Sequence, residues 1–441
     1  MSMKLFRFLT AFVFLFILFV WISFSGCHKD SSSDPVELDS ISVGVILPMN
    51  NANAPLLLNS IELAFKEVND AGGVERGYPL RIELRSSEGY NREVIATDMA
   101  LEIIETTDNF VGFATCYSSS SIGIANNICK KLSIGATSGC ASNNILSGLT
   151  DYFQSLCPLD KYEAEIISNM AHDLGINKVA IAMQTEEPYC QNISEEFQYH
   201  FGNGSELKIE FSKNDQLYDN KLEELIQNAP DAIMVSMLDY DNYSEFFEKL
   251  NQMNSKIDLS NTYFILCSGL YSADLFNSQI NHLLGDINGN PKNFGAISFP
   301  DPNSTEFKYF KSNLLETFNQ EVGVYNSQYY DIGYLYALAI EQAFFSKNIE
   351  DIEDFRSTVG SNIRGISRPD PNIEFDVNPS QGWETMKLAA IKGSLNYSGA
   401  SGNCNIDSEG NVTTSYKVFT LKDSGSGPYF ETIEFVNPVK K

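Results

Sequence analysis

Positive charge is scarce in this 441-residue chain: 30 Lys and Arg stand against 57 Asp and Glu, a formal net charge of −27. A body of that sign repels phosphate backbones and anionic lipid, so nucleic acid is excluded as a partner class. Histidine is scarcer still, with only His28, His172, His200 and His282. None sits in an HExxH arrangement and no CxxC pair occurs, so no metal and no cofactor is assigned. No GxSxG is present, which leaves an α/β hydrolase without its nucleophile elbow. What remains is ordinary globular usage, 43% hydrophobic and 20% charged, on a chain long enough for two or three domains.

The cations that do occur early have a purpose. Lys4 and Arg7 precede an apolar run from Phe8 to Phe24, interrupted by Thr10 and Ser23 and followed by Ser25-Gly26-Cys27. That is a secretory signal arrangement over residues 1–26. The competing reading, a single membrane span, has about 17 apolar residues, the lower limit for crossing a bilayer. Small residues directly before a cysteine favour cleavage. The segment resembles the bacterial lipoprotein signal, with Phe24 where Leu is usual, which implies lipidation at Cys27 and a membrane anchor. Residues 27–40, Ser-rich and containing Pro35, read as a tether. Seven further cysteines (116, 129, 140, 157, 190, 267 and 404) leave at least one thiol unpaired in a monomer, and their pairing is not readable from spacing.

From Ile41 short apolar runs alternate with amphipathic stretches. ISVGVIL leads into a helix-period segment from Leu56 to Val68 in which Leu57, Ile61, Ala64, Phe65 and Val68 share one face, stopped by Gly72-Gly73. Strands are expected at 80–84, 110–114, 132–136, 178–183, 207–211, 232–237, 263–267 and 295–299. Helices are expected at 91–105, 122–131, 161–174, 304–318 and 330–345, with a final strand pair near 413–420 and 429–436. Alternation of this kind predicts α/β architecture, parallel sheets covered on both faces, and the length requires two lobes.

The stretches ISVGVILPMNNANAPLLLNSIELAFKEVNDAGGVERGYPLRIELRSSEGYN, GFATCYSSSSIGIANN, LSIGATSGCASN, DYFQSLCPLDKYEA, YYDIGYLYALAIEQA and GASGNCNIDSEGNVTTSYKVFTL together resemble the type I periplasmic binding proteins. The similarity is to the branched-chain (Leu/Ile/Val) amino-acid binding group that supplies ABC transporters. It implies two Rossmann-like lobes joined by a three-crossing hinge: lobe 1 from residues 41–156 and 297–400, lobe 2 from 157–296 and 401–441.

Ligands of open parallel sheets bind beyond the carboxyl ends of strands. Ser118, Ser119 and Ser120 follow the strand at 110–114, where hydroxyl and N–H groups can accept a ligand carboxylate; capping of the next helix explains them equally well. The resemblance implies that Thr137, with the Gly135 carbonyl beside it, touches an amino-acid head group, against the alternative of a strand-end turn. It likewise implies that Tyr189 closes the second-lobe face. Asp239, Tyr240 and Ser268 complete the rim. Where amino-acid binders place a carboxylate for the ligand ammonium this chain has Ser268, so Asp239 is expected either to substitute or to be a solvated rim acid. The asparagines between Pro48 and Pro55 are turn formers or a hint of polar ligand.

The resulting expectation is an exported, lipid-anchored, non-enzymatic solute-binding protein. It captures a small polar molecule, an amino acid or derivative, by hinge closure and presents it to an ABC permease of the inner membrane. The rivals are a ligand-sensing lipoprotein domain reporting to a membrane receptor and an exported α/β hydrolase.

Overall fold

The computed structural model describes residues 39–88, 92–253, 258–346, 351–367, 375–392 and 395–438. The signal, Cys27 and the tether up to residue 38 lie outside the described residues. Among the described residues no helix is long and apolar enough to cross a membrane.

Two sheets organise the chain. The first has five parallel strands: β1 (Ile41–Leu47), β2 (Leu80–Ser86), β3 (Phe110–Thr115), β4 (Gly135–Ser138) and β5 (Phe153–Ser155), in the spatial order β2-β1-β3-β4-β5. Every residue of β1 is buried, as parallel strands covered on both faces require. Alternation divides them: Val43, Val45 and Leu47 enter one core with helix α1 (Ala54–Asp70), while Ile46 enters the other. The glycines after α1 are needed where they stand. Gly73 has φ +78, and a Cβ there would meet the Tyr78 carbonyl oxygen at 2.5 Å.

The second sheet has seven strands: β6 (Val179–Gln184), β7 (Leu207–Phe211), β8 (Ala232–Ser236), β9 (Tyr263–Leu266), β10 (Asn293–Ser298), β11 (Tyr416–Asp423) and β12 (Pro428–Val436). Their order is β12-β11-β10-β9-β8-β6-β7, the last two in sequence being antiparallel additions at one edge. The fold is therefore α/β with parallel-sheet lobes, as expected. The longest helix, Asn326–Ser346, is buried on nearly every side and packs against α1, a central position that accounts for its apolar character all round.

Three details of the expected map move. Helix period persists through IANNICKKL, so Lys130–Leu132 is still helical, Ser133 turns left-handed at φ 55, and β4 starts at Gly135 rather than Leu132. The helix ahead of β4 starts at Ser118 rather than Ile122 and runs on through a π turn at Ala125–Cys129. Last, the boundary placed at 297 falls inside β10, and Ala400, Cys404, Ile406 and Val412 pack into the core of the first sheet. The Gly148 N–H donates to the Glu409 carbonyl at 2.8 Å and the Ser155 N–H to Gly410 at 2.9 Å. Residues 401–412 therefore belong with the first sheet, and the chain crosses between sheets near Leu156, Phe299 and Ser415.

Candidate functional site

The carboxyl ends of strands from both sheets converge on one place. Beyond β1 come Pro48, Asn51, Asn53 and Ala54; beyond β3, Cys116, Tyr117 and Ser118; beyond β4, Cys140 and Ser142. Tyr189, Leu238, Tyr240, Tyr243, Ser268, Gly269, Tyr271 and Asp274 face them from the ends of β6, β8 and β9, with Val324 and Tyr325 beside them, around an inner cavity of about 90 Å³. A wider outer cleft of about 590 Å³ adjoins it, sharing Asn51, Tyr117, Leu238, Tyr240 and Asp274, and is lined further by Arg92, Ser119, Gln184, Glu187 and Asp239.

On the first-sheet side the chain bends sharply into the site. Tyr117 occupies the position before the helix at φ +56, a conformation that costs a bulky residue energy and recurs at binding sites. Asn51 donates from Nδ2 to the Tyr117 hydroxyl at 2.8 Å. The Ser118 hydroxyl accepts from the Ser142 and Asn143 N–H groups at 3.3 and 3.2 Å, tying the two strand-end loops together. Directly beneath, the sulfurs of Cys116 and Cys140 are 3.0 Å apart. Burial raises the Cys116 pKa. Burial also opposes a Cys140 thiolate, but hydrogen bonds from Cys116, Tyr329, the Tyr117 N–H and Ser138 outweigh it and lower that pKa.

On the second-sheet side Ser268 and Tyr189 are locked by a buried acid. The Ser268 N–H and hydroxyl each donate to Glu163 at 2.7 Å, and the Tyr189 hydroxyl lies 2.8 Å from Ser268 Oγ and 3.5 Å from Glu163. Burial, then the charge of nearby Asp160, pushes the Glu163 carboxyl up to about 8. Burial lifts Asp160 to about 7.

A third cluster spans the mouth. Arg92, from the helix Arg92–Thr106 of the first lobe, donates to Glu187 at 3.0 Å and to Asp239, both on the second lobe, and its guanidinium lies 5.1 Å from the Tyr117 ring centroid. Burial works against the charged guanidinium, yet the two carboxylates raise its pKa. Burial outweighs the Arg92 attraction at Glu187 and brings that acid to about 7. Arg92 thus stays charged. Asn143 adds a bond from Nδ2 to the Pro188 carbonyl at 2.8 Å, and Asn144 one to Glu196 at 2.6 Å.

Of the residues expected from sequence, Ser118, Tyr189 and Ser268 line the inner cavity, with Tyr240; Ser119 and Asp239 line the outer cleft. Ser120 is fully buried and lines neither. Gly135 and Thr137 do not reach the cleft. The GAT motif lies inside β4, so its residues face the packed sheet. The Gly135 carbonyl accepts from Tyr336 at 3.2 Å, and a Cβ there would meet Gly360 at 2.5 Å. Thr137 accepts from Gln154 at 2.8 Å. Five residues further along, Cys140 and Ser142 take the place assigned to them. Asp239, on the outer cleft, is not held open for an ammonium, because Arg92 and Gln184 Nε2, the latter at 2.7 Å, bond to its oxygens. Sequence reasoning also missed Arg92, Glu163 and Asp274.

The geometry is that of a binding site. Among the described residues no cluster of three or more His, Cys, Asp or Glu is placed to hold a metal. His172 stacks on Phe201, His200 pairs with Glu196 and His282 is buried, all outside both cavities.

Residues 56–424 match the receptor family ligand binding region (ANF receptor). The chain belongs to that family. Its members bind ligands rather than transform them, and this chain is not an enzyme. Comparison with curated proteins returns no match. Solved structures share the type I periplasmic-binding fold of the family. The leucine binding protein LivK of Thermotoga maritima is 18% identical with a TM-score of 0.70, covering 90% of this chain and 99% of its own. The branched-chain amino acid transporter substrate binding protein LivJ of Streptococcus pneumoniae, in complex with isoleucine, is 17% identical with a TM-score of 0.65 over 89% and 99%. A solute binding protein of an ABC transporter from Rhodopseudomonas palustris BisB5, in complex with 3,4-dihydroxybenzoic acid, is 17% identical with a TM-score of 0.64 over 91% and 99%.

Proposed function

We propose that this family member is an exported, Cys27-lipidated solute-binding protein that serves an ABC permease and captures a small carboxylate, an amino acid or an aromatic acid, by closing two lobes around it. The observation that carries the reading is the inner cavity, walled from both lobes by residues at strand carboxyl ends. The names of the structural relatives, which pair this fold with isoleucine in one case and an aromatic acid in another, support it.

Each wall has a role in this reading. The first turn of the helix beginning at Ser118, with Ser142 opposite, receives the ligand carboxylate, since first-turn N–H groups have no partner within a helix. The faces of Tyr117, Tyr189, Tyr240, Tyr243 and Tyr325 enclose its body. Asp274, half-buried in the wall and bonded only to its neighbour Ser272 among the described residues, stands ready for an ammonium. It takes the part that sequence reasoning offered to Asp239. Ligand contacts in both lobes then stabilise the closed arrangement over the open one.

A thermal-shift screen with amino acids, aromatic carboxylates, amides and sugars tests this. At least one of the first two classes raises the midpoint by mass action. A response to sugars alone, or to nothing, overturns the carboxylate assignment. The family's receptor description keeps a sensor role in view; co-purification with a permease rather than a receptor decides for transport.

A further inference from the structure

The thiols of Cys116 and Cys140 are the feature that the binding reading does not use. Cys116 follows β3 directly and Cys140 lies two residues beyond β4, on adjacent parallel strands, and the two are 24 residues apart in sequence. Their sulfurs at 3.0 Å are inside the contact distance of unbonded sulfur atoms. They need to approach by only about 1 Å more to reach disulfide length. No other pair among the seven described cysteines shows such a contact. Cys129 and Cys190 lie deep in the separate cores, and Cys404 bonds to Ser401 and Asp331. Cys140 is half-buried and, with Cys116, lines the inner cavity, which adjoins the outer cleft.

We propose that Cys116 and Cys140 close into a disulfide that staples the loops carrying Ser118 and Ser142 in the floor of the cavity. The oxidant is a protein or small-molecule disulfide. The Cys140 thiolate attacks one of its sulfurs, expelling the other as a thiolate and forming a mixed disulfide. Cys116 then loses its proton and displaces the oxidant's remaining sulfur. Two protein thiols become one disulfide, and the oxidant's disulfide becomes two thiols. The bond fixes the spacing of the two loops whose N–H and hydroxyl groups meet at Ser118.

Formation in the cell rests on the exported reading above, because disulfides persist in oxidising compartments; formation in the test tube does not. Two arms separate these. In the first, purified full-length protein is reduced, exposed to oxidised glutathione, alkylated under denaturing conditions and digested. The expected product is a peptide pair joined through Cys116 and Cys140, with the other cysteines alkylated. In the Cys140→Ser variant Cys116 is alkylated as well. Full alkylation of both cysteines, or linkage of either to a different cysteine, overturns the proposal whatever the compartment. In the second arm the protein is taken from cells with alkylation at lysis. The linked pair on a processed chain supports both statements. An unprocessed chain with free thiols, alongside a positive first arm, sinks the export reading and leaves the pair standing. A processed chain with both thiols free overturns the staple in the mature protein.

Discussion

The mouth of the cleft and its interior solve the problem of buried charge in opposite ways. At the mouth, Arg92 faces Glu187 and Asp239 across the two lobes, a charged bridge whose partners belong to different halves of the molecule. Inside, Glu163 is satisfied by Ser268 and Tyr189 within one half, and burial holds it largely protonated. The first cluster joins groups of both lobes; the second lies within one. On the proposed closure, opening would separate a cation from two acids at the mouth and leave the cavity wall of the second lobe intact, so that the bridge would set how often the lobes are together and the wall what is held between them.

Breaking the bridge gives the largest effect. Arg92→Ala leaves Glu187, 3% exposed, without its cation, and removal of one member of a buried pair is costly because the other is left uncompensated. The closed fraction falls, and the apparent affinity falls with it. We expect a weakening on the order of 10- to 100-fold for whichever solute the screen returns, with a larger radius of gyration by X-ray scattering. Unchanged affinity together with an unchanged radius would show that the bridge has no part in closure.

A smaller effect separates the two regions. Asp274→Asn removes the one wall carboxylate offered to an ammonium and leaves the bridge in place. Affinity for amino-bearing ligands drops by about 10-fold, the cost of one charge-assisted bond, while affinity for plain carboxylates stays level in calorimetry. An equal loss for both classes would mean that Asp274 acts on the shape of the wall.

How much of this was legible in the sequence follows from the same physics. Apolar runs and helix period locate the strands and helices because burial on both faces leaves little freedom of composition, and the 207–211 strand was placed to the residue. The site was half legible. Ser118, Tyr189 and Ser268 follow strand ends and line the cavity, but GAT at 135–137 looked like a strand-end loop. The helix ahead of it runs on to Leu132 and is followed by the left-handed turn at Ser133, so the strand starts three residues later than its hydrophobicity suggested and the loop moves out to Cys140 and Ser142. Arg92 reads as an ordinary surface cation at a helix start, and its partners are 95 and 147 residues away. Glu163 reads as a solvated first-turn acid; only packing against Ser268, 105 residues away, reveals its burial. The 24-residue spacing of Cys116 and Cys140 matches no local signature.

The smallest expected effect tests the interior network. Burial brings the Glu163 carboxyl up to about 8 in the folded protein, against 4.5 when solvated. The folded state therefore holds its proton through a range in which the unfolded chain has lost it. The stability from this group is full below about pH 4.5 and drains away as pH rises toward 8. Asp160 and Glu187, also raised by burial to about 7, act in the same direction. The thermal midpoint should therefore fall between pH 5 and pH 9. Glu163→Gln mimics the protonated acid, since its amide can accept from the Ser268 N–H as the carboxyl does, and it removes this group's contribution while leaving those of the other buried acids. The variant's decline should be shallower by on the order of 2 °C over that range. Parallel profiles for the two proteins would mean that Glu163 is ionised in the folded state and that the wall behind Tyr189 carries charge after all.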